Sequence, residues 1–157
     1  MAFISDFGIA CARPTAVLAA LMLSAAAPAQ VSTQSTTDLT IEIVGLRDAR
    51  GVVRLCLTAD PKGFPDCKGK DAIHATIKAS LTAVRYQFKA LPQGIYAIAA
   101  FHDANGNGKL DTMMGVPREG FAFSRNPAMR PRAPYFNEAS FRNNGSPLPA
   151  LKMKYLL

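Results

Sequence analysis

The sequence predicts an all-β protein: a single antiparallel β-sandwich carrying one long ordered loop. Three observations lead there. Apolar residues recur at every second position in several stretches, the mark of strands with one buried face. Those stretches are separated by turns rich in Gly and Pro, at intervals typical of sandwich domains. Outside the apolar N-terminal run no segment shows a helical period.

That N-terminal run reads as an export signal. Arg13 precedes Thr15 to Ala27, an apolar stretch shorter than the ~20 residues needed to span a bilayer. It closes on Ala27-Pro28-Ala29, the small-x-small pattern of a cleavage site. Residues 1–29 are therefore expected to be a signal peptide cut after Ala29, which implies a periplasmic or secreted protein. The polar stretch 30–37 is expected to be a flexible mature N-terminus, ahead of a domain over 38–157. Removing 29 of the 157 residues leaves 128, enough for one core and too few for two domains. No transmembrane segment remains in that mature chain.

The strands follow in order. Leu39, Ile41 and Ile43 alternate with Thr40 and Glu42. Gly45 and Arg47 to Gly51 read as a hairpin connection to a second strand, Val52 to Leu57. Ile73, Ala75 and Ile77 set one face of a third strand within Ala72 to Ala79. Val84, Tyr86 and Phe88 set a fourth, followed by a turn at Leu91-Pro92-Gln93-Gly94. Ile95 to His102 is apolar on both faces, as suits a central strand covered on both sides. Leu151, Met153 and Tyr155, alternating with Lys152 and Lys154, mark a closing strand.

Of three cysteines, Cys11 leaves with the signal, so Cys56 and Cys67 remain. An even pair in an exported chain predicts a disulfide. Free thiols or a soft metal pair are the alternatives, and a metal would need further Cys or His ligands close by, for which only His74 and His102 exist.

Between 112 and 148 the alternation stops, and the chain becomes dense in Pro, Gly, Arg and aromatics. Disordered segments lack aromatics. Phe121, Phe123, Tyr135, Phe136 and Phe141 therefore predict an ordered excursion over one face or end of the sandwich, with a helical turn near Asn137 to Phe141. The signal carries one acid and one base, so the net charge of +7 survives cleavage. Such a charge suits anionic envelope surfaces, and equally a merely solvated exterior.

The sharpest local motif is Asp103-Ala-Asn105-Gly-Asn107-Gly108-Lys109-Leu110-Asp111. Oxygen-bearing side chains at alternate positions before a Gly match the opening of a calcium loop. Asp103, Asn105, Asn107, Asp111 and the Lys109 carbonyl would supply oxygens, and Glu119 is close enough in the chain to fold back as a substitute ligand, though nothing in the sequence requires it. The twelfth position, where such loops carry Glu, is Met114. Two Asn-Gly pairs make a metal-free turn an equal reading. A calcium cofactor is thus one expectation, and a hydrogen-bonded turn the other.

Two resemblances add to this. Leu91-Pro92-x-Gly94-x-Tyr96 between two strands resembles a phrase of transthyretin/prealbumin-like and collagen-binding-B-like sandwiches. More extensively, three groups of residues resemble a family of small exported bacterial proteins known as domain of unknown function 2141. They are His102, Asp103, Asn105, Asn107, Gly108 and Asp111; Gly115, Pro117, Glu119, Gly120, Phe123, Ser124 and Asn126; and Pro134, Phe136, Ala139 and Phe141. The resemblance implies export and a small β-fold, and brings no activity with it.

Three function classes follow. The favoured one is an envelope binding or structural module for an unknown ligand or protein, with the long loop and the 103–111 turn on one face. The second is an enzyme built on His102, Asp103, Glu119 and Ser124. No nucleophile elbow, phosphate loop or zinc signature supports it, so no catalytic residue is assigned. The third is a binder of anionic surfaces through Arg118, Arg125, Arg130 and Arg132. No nucleic-acid partner is expected, since no such fold signature is present.

Overall fold

The computed structural model describes residues 35–157. The expected signal peptide, its cleavage site and Cys11 lie outside these residues.

The strands are β1 (Thr36–Val44), β2 (Val52–Thr58), β3 (Ile73–Lys78), β4 (Val84–Pro92) and β5 (Gly94–Asp103). They are followed by β6 (Thr112–Met113), β7 (Val116–Pro117), β8 (Phe121–Phe123), the helical turn α1 (Phe136–Ala139), β9 (Phe141–Asn143) and β10 (Leu151–Lys152). One sheet has the order β10-β1-β4, the other β3-β2-β5-β8 with β9 also on β5. The core lies between them. Leu39, Ile41 and Ile43 of β1 meet Val53, Leu55 and Leu57 of β2, with Val84, Phe88, Ile98, Ala100 and Leu151 filling the space. Fully burying each large aliphatic or Phe side chain contributes about 1.5–3 kcal/mol. The alternation in the sequence thus becomes a two-sheet sandwich.

Two connections differ from expectation. The segment 45–51 is no hairpin: β1 and β2 lie in different sheets. Leu46, only 7% exposed, turns into the core, and the chain arches from one sheet to the other. Hairpins and arches use the same turn residues, so local sequence does not separate them. Gly51 sits at φ +64 against the Asp103 carbonyl, where any Cβ would collide. The β4–β5 corner also changes sheets, through Gln93 alone. There the Tyr96 hydroxyl donates to the Pro92 carbonyl at 3.0 Å, which accounts physically for the Pro-x-Gly-x-Tyr phrase.

The closing strand also differs, since β10 runs parallel to β1, pairing Ile43 with Leu151. Parallel neighbours need a long crossover, and here nearly the whole domain, from β2 to β9, lies between the two strands. The excursion after β5 is less irregular than its composition predicts. Its first part is a hairpin, β6–β7, whose tip holds Met114 at φ +52 and Gly115 at φ +80. Its strands β8 and β9 both add to β5. Three-residue strands are too short to show a period. The helical turn ends at Ala139, slightly earlier than predicted. Similarly, β1 starts at Thr36, inside the stretch expected to be loose.

Register fixes which side chains face outward. On the outer face of the larger sheet one row reads His74, Cys56, Ala99, Phe123, and the next Thr76, Arg54, Phe101, Phe121. The excursion covers only part of this face. Phe64, Ala97 and Ala139 form a second small core there, with Ala99, Phe123 and Phe136 packed against it. Phe64 meets Phe123 and Phe136 edge-on at 5.9 and 6.0 Å. This is the double covering of β5 that its sequence predicts.

Candidate functional site

The 103–111 loop is closed by hydrogen bonds to its own carboxylates. Asp103 is fully buried. Its Oδ1 accepts from the Asn107 N–H at 3.0 Å, and its Oδ2 from the Gly108 N–H at 2.9 Å and from Arg54 Nε at 2.6 Å. Burial alone would raise its pKa. The Arg54 guanidinium and the Gly108 N–H outweigh burial and hold the carboxyl below its ordinary range. Asp111 accepts from the side-chain amides of Asn105 and Asn107 at 2.7 and 2.9 Å. Lys109 donates its N–H to Asn107 Oδ1 at 2.8 Å. Glu119 does fold back: its two oxygens accept from the N–H groups of Ala104 and Asp111, both at 3.0 Å, clamping the two ends of the loop.

Every carboxylate of the expected calcium ring is therefore engaged by N–H donors, and a guanidinium already supplies the positive charge at Asp103. Among the described residues no group of three or more His, Cys, Asp or Glu is arranged to hold a metal ion. The donor set fits a self-closed loop better than a cation cage.

The residues of the enzyme hypothesis are not brought together by hydrogen bonds. His102 is 1% exposed and points into the sandwich. Its Nε2 lies 2.8 Å from the Arg50 carbonyl and its Nδ1 2.8 Å from the Tyr155 hydroxyl. A carbonyl only accepts, so Nε2 carries a proton. Ser124 is equally buried. Its hydroxyl accepts from the Ile98 N–H at 2.9 Å and donates to the Ala139 carbonyl at 2.6 Å, tying α1 to β5. Neither hydroxyl nor ring reaches another member of the proposed constellation, so no nucleophile–base pair forms. Among the described residues no buried side-chain polar atom lacks a partner.

The residues that carry the family resemblance thus share structural work. Asn126 accepts from the Lys152 N–H at 2.7 Å and donates to the Ala150 carbonyl at 2.9 Å, anchoring the excursion to β10. At Gly120 any side chain would run into the Tyr155 ring and Met153. The family model described as an uncharacterized protein conserved in bacteria (DUF2141) matches residues 41–148. The chain belongs to this family. No curated protein matches it significantly, and no solved structure does. The family's signature, read on this fold, is a scaffold that fixes the loops around a neighbouring groove.

That groove lies on the outer face of the larger sheet, with a volume of about 990 Å³. Its floor holds Arg54, Phe101, Phe121 and Phe123. One wall is the disulfide loop, where Cys56 and Cys67 face each other at disulfide distance with Cα atoms 6.3 Å apart. The 103–111 loop with the β6–β7 hairpin forms a second wall, and residues 126–134 form a third. Seven Lys and Arg line the groove against one carboxylate, Asp66.

Some of these cations have partners. Lys68 pairs with Asp66, and Arg132 grips Glu138 through both oxygens with Arg130 at 3.6 Å. The Arg132 guanidinium pulls the Glu138 carboxyl down to about 2. Lys109, Lys152 and Lys154 make no ion pair among the described residues. Of the four arginines of the anion-binding hypothesis only Arg130 and Arg132 line the groove, since Arg125 turns back onto the Ser140 carbonyl. Lys152 and Lys154, which sequence reasoning read only as the outward face of a strand, replace them. Among the described residues no helix is long and apolar enough to cross a membrane.

Proposed function

We propose that the protein is an exported envelope module that binds an anionic ligand in the groove on the outer face of the larger sheet. One observation carries this reading. Cations from five separate segments converge on one concavity: Arg54, Lys68, Lys109, Arg130 with Arg132, and Lys152 with Lys154. Even with Asp103 and Glu138 counted behind them, cations outnumber carboxylates seven to three. Clefts lined by one sign of charge concentrate ligands of the other. Export is supported by the leader-like N-terminus and by the cysteine pair.

Direct binding of lipopolysaccharide or an acidic glycan, measured against salt, tests the reading. Lys152→Glu with Lys154→Glu should weaken binding at least tenfold. Lys89→Glu, on the other sheet, should leave it unchanged. Equal loss in both variants would show a diffuse surface effect instead.

The 103–111 loop belongs to this reading as support for Lys109 and the hairpin wall. Calcium remains its alternative occupant, and the engaged carboxylates favour the self-closed loop.

A further inference from the structure

We infer that the ligand of this groove is an anionic amphiphile, an acyl chain ending in a phosphate or carboxylate head. This rests on the groove being the binding site and adds what the charge alone does not say. The outer face of a sheet is ordinarily polar where water reaches it. Here Phe101 and Phe121 lie half-buried beside Arg54 in one row, on a floor left uncovered by the excursion. The walls are apolar as well: Leu110 and Val116 are each 37% exposed, Met129 44% and Leu156 47%. Apolar side chains clustered in a concavity of an otherwise charged surface mark a ligand site.

The polar inventory narrows the class. A neutral sugar needs side-chain amides, hydroxyls or carboxylates for its ring hydroxyls. Of those lining the groove, Asn126 is bonded to Ala150 and Lys152 and Asp66 is paired with Lys68, which leaves a single hydroxyl, that of Thr76, too few for a sugar ring. Stacked bases of a single-stranded nucleic acid need flat ring faces. Phe121 and Phe123 are tilted by 54° to each other, which makes a furrow and not a platform. What remains complementary is a flexible chain along the phenyl rings, with an anionic head at Lys109, Lys152 and Lys154.

Calorimetric titration of the mature, disulfide-intact protein with n-alkyl phosphates of increasing length, below their micellar concentrations, tests this. Affinity should rise about fourfold per added CH₂, since each buried methylene is worth about 0.8 kcal/mol. Inorganic phosphate should bind more than 100-fold more weakly than the dodecyl ester, and neutral alkyl glucosides of equal length at least tenfold more weakly. Phe101→Ala should flatten the length series. Leu156→Ser, at an exposed position, should flatten it too if the first variant fails to fold. Salt-dependent binding of phosphate or oligothymidylate without length dependence would overturn the amphiphile and leave the anion reading standing. No binding of any anion would overturn both.

Discussion

His102 and Tyr155 meet across one end of the sandwich, Nδ1 to phenol oxygen at 2.8 Å, with rings nearly perpendicular at 88°. The Tyr155 oxygen also accepts from the Arg47 N–H at 2.9 Å, and the Arg47 guanidinium lies 4.1 Å above its ring. One phenol therefore joins the first arch, the end of β5 and the chain after β10. Tyr155→Phe removes both hydrogen bonds and leaves a buried imidazole nitrogen unpartnered. The expected cost is about 1–3 kcal/mol in urea unfolding. An unchanged midpoint would mean that water takes over the nitrogen.

Ser124 should behave as a structural tie and not as a nucleophile. Ser124→Ala leaves the buried Ile98 N–H and Ala139 carbonyl without their partner, at about 1–3 kcal/mol. Groove binding should survive in the folded fraction. Loss of a turnover activity at full stability would instead revive the enzyme hypothesis.

Acid stability should depend on Asp103. Its folded-state pKa is lowered, so its contribution is present above the unfolded value, about 3.9. It is lost as pH falls below 4 through the lower folded value. Denaturant unfolding from pH 7 to pH 2 should show this decline in the parent protein and a flatter one in Asp103→Asn. The variant should already be weaker at pH 7, where Arg54 has lost its partner. Parallel curves would exclude the Asp103–Arg54 pair as a source of the pH dependence.

The thermal response to calcium separates the two readings of the 103–111 loop. A site with Kd near ~10⁻⁴ M would gain about 2.7 kcal/mol in ~10 mM calcium, several degrees in Tm. The self-closed loop predicts a shift under about one degree, with chelator equally without effect. A rise of several degrees that is abolished in Asp111→Ala would establish calcium.

Reduction of the Cys56–Cys67 pair should cost about 3 kcal/mol, because it frees a loop of sequence separation 11 in the unfolded chain. Because the loop walls the groove, anion affinity should fall with it. Native protein alkylated at both thiols under oxidising conditions would refute the pairing.

The sequence made most strands legible because alternation is a local property. Leu39, Ile41 and Ile43 announce a buried face whatever they pair with. Sheet membership is not local. The same Gly and polar residues serve a hairpin or an arch, and only the burial of Leu46 distinguishes them here. The fold-back of Glu119 was written in the chain as a suggestion, whereas the roles of Ser124 and Asn126 were not, because their partners lie 26 and 24 residues away. The groove was hidden for the same reason. Arg54, Phe101, Phe121 and Lys154 become neighbours only through register, and Lys154 reaches Phe121 by a bridge outside any named strand.

The parallel pairing of Ile43 with Leu151 has a kinetic consequence. Joining the first strand to its outer neighbour closes a loop of nearly the whole domain, an entropic cost that the local pairings do not carry. Topologies dominated by such distant pairings fold in milliseconds to seconds, whereas helical bundles fold in microseconds to milliseconds. A chain of this design spends that interval with the edges of β1 and β8 open. Its survival then rests on how quickly the last strand arrives to close them.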